Sequence, residues 1–437
     1  MNFRRAAVPI TAWIIFSATI CSGAAEPTLS IVPRGEKYFY RLNETAVLDI
    51  RAVAPDGIQG APTVHHRLHQ DEAVVLAEGD IDLSEGKASL EGSLDFPGFL
   101  RCDIYWVAGA DTLRAACGVG YDVRAIRPTG LLPEDFKRFW RQARSELVRI
   151  PVDARLEEVA VVDPGDVRRF KVSLAHCDGG RVYGWLHLPK GEGPFPTILS
   201  IPGSGIGRTG RYAQFTEGGF AILAMEIHGL EPHKENIRGV RWIEQDSVFA
   251  YLGELETGIL AGYHNIGKED PYHYYHRRSL QAAMRALDYL VTRKDVDGSR
   301  ICAFGGSQGG GLSLLLASMD KRVKAVIATV PGFCDQAAFL YGRAAELGLF
   351  ADGDRDRIKR TLSYYDAALA AELIEVPTLI GVGFIDDTCN PTKVYAAYNN
   401  LRGPKKIDNF LHTGHGSAPG WRERSIAWLQ GVFGMSQ

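Results

Sequence analysis

Apolar spacing divides the chain into two regions with different periods. From about residue 28 to residue 122, apolar and polar positions alternate in short runs at 47–52, 73–77, 88–94, 100–107 and 113–121. Turn signals such as Pro55-Asp56-Gly57 and Ser84-Glu85-Gly86 separate these runs. Alternation with period two predicts half-buried strands, and their number and spacing predict a small sandwich-like all-β unit of roughly 95 residues. Pro128-Thr129-Gly130 marks a joint, after which Phe136, Phe139, Trp140, Ala143 and Leu147 share one face at helical spacing. A two-stranded segment is expected at 170–174 and 182–188, around Gly179-Gly180.

Beyond residue 197 the strand-like runs become continuously apolar: 197–201, 220–225, 301–304, 323–330 and 378–382. Helical patterns lie between them, with Leu280, Met284, Leu287 and Val291 on one face. Strands buried on both faces and alternating with helices predict a mostly parallel, doubly wound α/β sheet. The expected organisation is a leader at 1–25, a β-sandwich-like domain at 26–125 and an α/β domain at 126–437.

The leader reads as a cleaved signal peptide. Arg4 and Arg5 precede an apolar stretch from residue 6 to residue 20, and Ser22-Gly23-Ala24-Ala25 offers small residues for cleavage. The stretch is shorter than the ~20 residues of a spanning helix, so export to the periplasm or medium, with no membrane association after cleavage, is the expectation. A net charge of −3 lacks the basic footprint of a nucleic-acid binder. Export permits disulfides, and Cys102 and Cys117 flank an expected hairpin turn near Gly109. Cys302, Cys334 and Cys389 read as buried thiols. His65, His66 and His69 read as surface residues of a strand rather than metal ligands, and no metal or cofactor is expected.

The chemistry lies in Gly305-Gly306-Ser307-Gln308-Gly309, between an apolar strand and a helical run. This is the strand–turn–helix setting of a nucleophile elbow, the hallmark of an α/β-hydrolase. Its glycines remove side chains that would clash around a strained serine, and the helix N-terminus favours negative charge nearby. A serine nucleophile needs a base, and the base needs an orienting acid, in the chain order serine, acid, histidine. Only His412 and His415 follow Ser307. His415 sits in a glycine-bracketed loop suited to reach the serine, whereas His412 continues the last strand's pattern. Asp386 and Asp387 both follow the strand at 378–383, and either can orient the base, with Asp335 a further alternative. Oxyanion donors are expected from the Gln308 backbone N–H and from Gly203 or Ser204, in the Pro202-Gly203-Ser204-Gly205 turn.

These residues, with Val330-Pro331-Gly332-Phe333-Cys334-Asp335, Tyr364-Tyr365-Asp366, Gly383-Phe384-Ile385-Asp386-Asp387-Thr388-Cys389 and Tyr274-Tyr275-His276-Arg277-Arg278, resemble the acetyl xylan esterase / cephalosporin C deacetylase family, an α/β-hydrolase family. The resemblance runs from about residue 128 to the C-terminus. It implies a Ser307–His415–Asp386 triad, choosing Asp386 over Asp387, and small acetylated sugars or xylo-oligosaccharides as substrates. Single-domain members tend to be oligomeric, so a homo-oligomer is an expectation that the added β region opposes. Three departures stand out. His228-Gly229-Leu230 occupies the place of an Arg-Gly-Gln signature, Glu226 that of an aspartate, and Gly416 follows the histidine in place of glutamate.

The expected activity is deacetylation of carbohydrate through an acyl-enzyme. Alternatives are a general carboxylesterase or serine peptidase of the same fold, or a non-catalytic carbohydrate-binding protein. The β region is too short for the propeller that peptidases of this fold often carry. Aromatics in the insertions at 231–275 and 333–371 are the source of expected sugar contacts, and His228, Trp242 and Tyr274 are the candidates. The insertions also hold Tyr251, Tyr263, Tyr272, Tyr275, Tyr341, Tyr364 and Tyr365. Every catalytic candidate lies beyond residue 127, so the β region reads as an independent unit without chemistry of its own.

Overall fold

Among the described residues, alternation in the first part of the chain gives eight strands in two sheets. The computed structural model describes residues 27–53, 63–108, 111–159, 167–205, 213–231, 262–343 and 352–435. The expected signal peptide, Trp242 and Tyr251 therefore lie outside the described residues. Strands β1 (Thr28–Pro33), β2 (Phe39–Tyr40), β3 (Ala46–Val53), β4 (Thr63–Gln70), β5 (Val74–Asp82), β6 (Lys87–Gly92), β7 (Gly98–Ala108) and β8 (Asp111–Tyr121) follow in order. One sheet has the order β1-β3-β6 and the other β2-β8-β7-β4-β5. The period-two pattern is plain in β3, where Ala46, Leu48, Ile50 and Ala52 are buried and the residues between them are not. Gly92 faces Leu68 and Leu100 so closely that a Cβ would lie 2.9 Å from each side chain, which draws the two sheets together.

One local expectation is corrected. His66 and His69 are buried, not on the surface, and the His69 ring is held by Asp103 at 2.6 Å. His65 instead bonds Asp80 at 2.9 Å on the exposed side. Neighbouring strand residues point to opposite faces, so His65 and His66 do not converge. Cys102 and Cys117 are directly opposed in the β7–β8 register and buried, and both are free thiols.

The second region adds strands β9 (Arg155–Glu158), β10 (Val167–Ala175), β11 (Arg181–Pro189), β12 (Phe195–Ile201), β13 (Ala221–Met225), β14 (Val296–Gly306), β15 (Ala325–Thr329), β16 (Thr378–Gly383) and β17 (Lys405–Phe410). They form one nine-stranded sheet, β17-β16-β15-β14-β12-β13-β11-β10-β9. Pairing is parallel from β13 through β12, β14, β15 and β16 to β17, and antiparallel across β9, β10, β11 and β13. The continuously apolar runs are its buried centre, as in β13, β15 and β16, whose residues are all buried. Helices α1 (Phe136–Val148), α2 (Ala213–Glu217), α3 (Tyr275–Leu290), α4 (Gln308–Met319), α5 (Arg355–Ser363), α6 (Ala367–Ala370), α7 (Pro391–Asn400) and α8 (Trp421–Val432) cover the faces. This is the α/β-hydrolase fold. The register pairs Ile201 with Gly305, Gly306 with Thr329, and Gly383 with Phe410, so these strands end at one edge. Loops leaving that edge can converge, as ligand-binding loops do in such sheets.

The β unit is not a detached module. One buried apolar cluster runs from Ile31 through Phe99 and Tyr121 to Phe384, Tyr395 and Leu401. The Phe384 ring is fully buried and met edge-on by Tyr38 at 6.3 Å, Phe39 at 5.6 Å and Phe99 at 5.0 Å. A Cβ on Gly118 would lie 2.1 Å from the Phe384 carbonyl oxygen, so only glycine permits this approach. Buried Asp71 accepts from the Phe99 N–H and from the Thr392 hydroxyl across the interface. Asp335 accepts from the Thr129 N–H and hydroxyl at 2.8 and 2.7 Å and from Arg343 at 2.6 Å. The sequence-based picture of an independent β unit thus misses a shared core and a buried polar seam.

Candidate active site

The elbow forms because β14 ends in glycines and α4 begins at once. Ser307 has φ 54° and ψ −125°, a conformation that L-residues rarely adopt. It is held by its N–H to the Thr329 carbonyl at 2.9 Å and by its own carbonyl, which accepts from Gly332 N–H at 2.8 Å. A Cβ at Gly305 would meet the Gly309 carbonyl carbon at 2.3 Å, and one at Gly309 the Ile201 carbonyl oxygen at 2.1 Å. The turn is closed to larger residues on both sides of the serine.

His415 Nε2 lies 3.0 Å from Ser307 Oγ. His415 Nδ1 faces both carboxylate oxygens of Asp386, at 3.1 and 3.0 Å. Asp386 is fully buried, and its Oδ1 also accepts from the Thr388 and Cys389 N–H groups at 2.9 and 2.8 Å. These bonds fix the carboxylate and aim it at the imidazole. Asp387 is exposed and accepts from the Thr388 hydroxyl at 3.2 Å. Asp335 is instead held by Thr129 and Arg343, away from His415. Gly383 lets the two loops cross, since a Cβ there would meet the Gly414 and Thr413 carbonyl oxygens at 2.5 and 2.6 Å. His412 contacts the Tyr38 hydroxyl at 3.2 Å and belongs to the interface.

Gln308 opens α4, where a first-turn N–H has no acceptor within the helix. Its side chain donates to the Pro202 and Gly203 carbonyls, both at 3.3 Å, so the turn after β12 is tied to the elbow. The Tyr263 hydroxyl donates to Gln308 Oε1 at 2.8 Å and accepts from the Gly205 N–H at 3.1 Å. His228 Nε2 reaches the Gly205 carbonyl at 3.2 Å, and its Nδ1 the Tyr275 hydroxyl at 2.6 Å. Burial pulls the His228 pKa down to about 4. The ring is therefore neutral at pH 7, with Nε2 donating and Nδ1 accepting.

The expected sugar contacts at His228 and Tyr274 are corrected. His228 is 0% exposed and Tyr274 1% exposed. Tyr274 packs edge-on against Tyr365 at 4.9 Å and His276 at 5.3 Å, as core aromatics do. In the sequence Tyr263 is one of several aromatics of the 231–275 insertion. No spacing signal links it to Gln308, 45 positions away.

Glu226, just after β13, is 1% exposed, and neither carboxylate oxygen finds a hydrogen-bond partner among the described residues. Burial pushes its pKa from the ordinary 4.5 up to about 8, with the nearby His228 backbone N–H a counterweight. The folded state thus takes up a proton that the unfolded state releases above pH 4.5. Stability from this group is complete below that pH, declines as pH rises and is lost above about 8. Glu226→Gln is expected to match the parent near pH 4 and to be more stable by on the order of a few kcal/mol at pH 9. Thermal melts of both proteins from pH 4 to 9 check this, and parallel curves would refute it.

The sequence profile of the family described as acetyl xylan esterase (AXE1) matches residues 121–432, which begins at the last residue of β8. The acetyl esterase Axe7A of Xylanibacter ruminicola is 30% identical over 389 residues, spanning 86% of this chain and 84% of that protein. Among solved structures, an acetyl xylan esterase from Paenibacillus sp. R4 superposes with a TM-score of 0.60 at 26% identity, over 71% of this chain and 98% of the other. Acetyl xylan esterase 1 from a Thermoanaerobacterium species, at 22% identity and a TM-score of 0.58 over 71% of this chain and 98% of its own, shares the fold. With a strained elbow serine beside an aspartate-held histidine, and with profile and relatives in agreement, the chain belongs to the acetyl xylan esterase family and is a carboxylic ester hydrolase.

Proposed function

We propose that this enzyme removes acetyl groups from carbohydrate, with Ser307 as nucleophile, His415 as general base and Asp386 as orienting acid. The observation that carries the reading is the unbroken chain from Asp386 Oδ2 to His415 Nδ1 at 3.0 Å and from His415 Nε2 to Ser307 Oγ at 3.0 Å. His415 takes the Ser307 proton as Oγ attacks the acetyl carbonyl carbon. The tetrahedral oxyanion is stabilised by the backbone N–H groups of Gln308 and Gly203, aided by the α4 N-terminus. The intermediate collapses, the C–O bond to the sugar breaks, and the sugar oxygen leaves with the proton from His415. Water, deprotonated by His415, then attacks the acetyl-enzyme and releases acetate. Asp386 holds the Nδ1–H tautomer and stabilises the imidazolium.

The family and the relatives' names support the acetyl group and the sugar. The leader's composition supports export by a cleaved signal peptide, and no described helix is long and apolar enough to cross a membrane.

The test is a hydrolysis panel of acetylated xylo-oligosaccharides, other acetylated sugars, acetylated pectin fragments, feruloyl esters and a peptide amide. It is run on the parent, Asp386→Asn and Asp387→Asn. Acetylated sugars are expected to lead. Asp386→Asn is expected to lose about 10⁴-fold in kcat, because the amide favours the wrong imidazole tautomer, and Asp387→Asn to lose little. Preference for the feruloyl ester or the amide would overturn the substrate assignment. A crippled Asp387 variant beside an active Asp386 variant would overturn the acid.

A further inference from the structure

We infer that Tyr263 is a positioning residue for ester hydrolysis: its hydroxyl sets the gap between the Gly203–Gly205 turn and Gln308, the two backbone segments that face the oxyanion. The inference rests on the oxyanion reading above and adds a residue that supplies no atom to the substrate.

The geometry is a closed loop of hydrogen bonds. The Gln308 side-chain amide works in both directions, with Nε2 donating to the Pro202 and Gly203 carbonyls and Oε1 accepting from Tyr263. The same Tyr263 oxygen accepts from the Gly205 N–H, so one hydroxyl joins the far end of the turn to the elbow residue. The Gly205 carbonyl is occupied by His228, which fixes the turn's last peptide on its other side. A turn built as Pro202-Gly203-Ser204-Gly205 has two glycines and little intrinsic stiffness. External bonds must therefore set its distance from α4.

Tyr263 is itself immobilised. It is 0% exposed, and its ring lies against His228 at 4.7 Å, Tyr275 at 5.1 Å and His264 at 4.1 Å. A buried hydroxyl with both hydrogen-bonding roles filled has one stable position, and it transmits that position to both partners. Oxyanion stabilisation depends on donors placed before the charge develops. Loosening their spacing is therefore felt in the transition state more than in substrate binding.

Tyr263→Phe keeps the ring and its packing and deletes only the bridging oxygen. With 4-nitrophenyl acetate, kcat is expected to fall on the order of 10- to 100-fold while KM stays within about twofold. Phenylboronic acid, which forms a tetrahedral adduct on a serine oxygen, is expected to lose affinity by a similar factor. Affinity for the product acetate should be unchanged. A merely structural role would lower the melting temperature and leave these ratios alone. Tyr275→Phe, which deletes the His228 contact but leaves the Tyr263 bridge, serves as a second variant and is expected to have the smaller effect on kcat. Parent-like kcat and boronate affinity in a folded Tyr263→Phe protein would overturn the inference. So would equal losses of acetate and boronate affinity. Ser307→Ala, assayed in parallel, separates the two layers. Full turnover there defeats the parent reading, whereas a dead Ser307→Ala beside an unimpaired Tyr263→Phe defeats only this one.

Discussion

Replacing Ser307 with alanine is expected to lower kcat on an acetate ester by about 10⁶-fold, the scale seen when a triad nucleophile is removed. Residual turnover near 10³–10⁴ over water is expected to survive, because the proposed oxyanion donors and the substrate-binding contacts remain. The protein should stay folded. Alanine retains the Cβ and loses only the Oγ, whose partner, His415, is partly solvent-exposed. The strained backbone at φ 54° is imposed by Gly332 and Thr329 through main-chain bonds that do not involve the side chain. A melting temperature within a few degrees of the parent, measured beside the rate, shows that chemistry and not folding was lost. A folded variant with parent-like turnover would dismiss Ser307 and the roles assigned to His415 and Asp386 with it.

The elbow was legible because its physics permits few residue types. A sharp strand-to-helix turn with backbone atoms 2–3 Å from each would-be Cβ demands glycine at positions 305 and 309, and such demands are visible in a sequence. The parallel sheet was legible for a related reason, since strands buried on both faces leave continuous apolar runs. Asp386 and Asp387 were not separable by spacing. Both follow β16, and only the local fold decides that one turns inward to His415 and the other outward. The family resemblance favours Asp386, the residue the structure brings to His415. In sequence, His228 and Tyr274 read as cleft residues because polar and aromatic side chains near an active site suit sugars. Their burial shows that the same chemistry can serve a hydrogen-bond network or a core. Gly118 reads in sequence as an ordinary strand glycine, and nothing local announces that Phe384, more than 250 residues later, lies against it.

A chain beginning near Arg127 is expected to lose cooperative folding and, with it, hydrolysis of even a small soluble acetate ester, although it retains every proposed catalytic residue. Sequence reasoning alone expects the opposite. The Paenibacillus relative is matched over 98% of its length by 71% of this chain, so the hydrolase fold does not itself demand a β-sandwich. The demand comes from the face this chain presents. Truncation strips Tyr38, Phe39 and Phe99 from Phe384, and removes Phe99 from Tyr395, against which it packs at 5.6 Å. Each large apolar side chain returned to water costs about 1.5–3 kcal/mol. Thr392 also loses Asp71, and His412 loses Tyr38. Together these losses reach the lower end of the ~5–15 kcal/mol that holds a typical domain folded. The damage is also badly placed, because Phe384 stands two residues before Asp386 in the loop that aims the carboxylate. Circular dichroism melts and assay of the truncated protein on 4-nitrophenyl acetate give the result. A cooperative melt with parent-like kcat would show that the catalytic region is self-contained and the shared core dispensable. If the fragment is insoluble, Gly118→Ala in the full chain asks the same question more gently. The new methyl group must push back the Phe384 carbonyl, which it would otherwise meet at 2.1 Å, and kcat should fall more than KM rises. An unchanged kcat in that folded variant would uncouple the β unit from the acid loop.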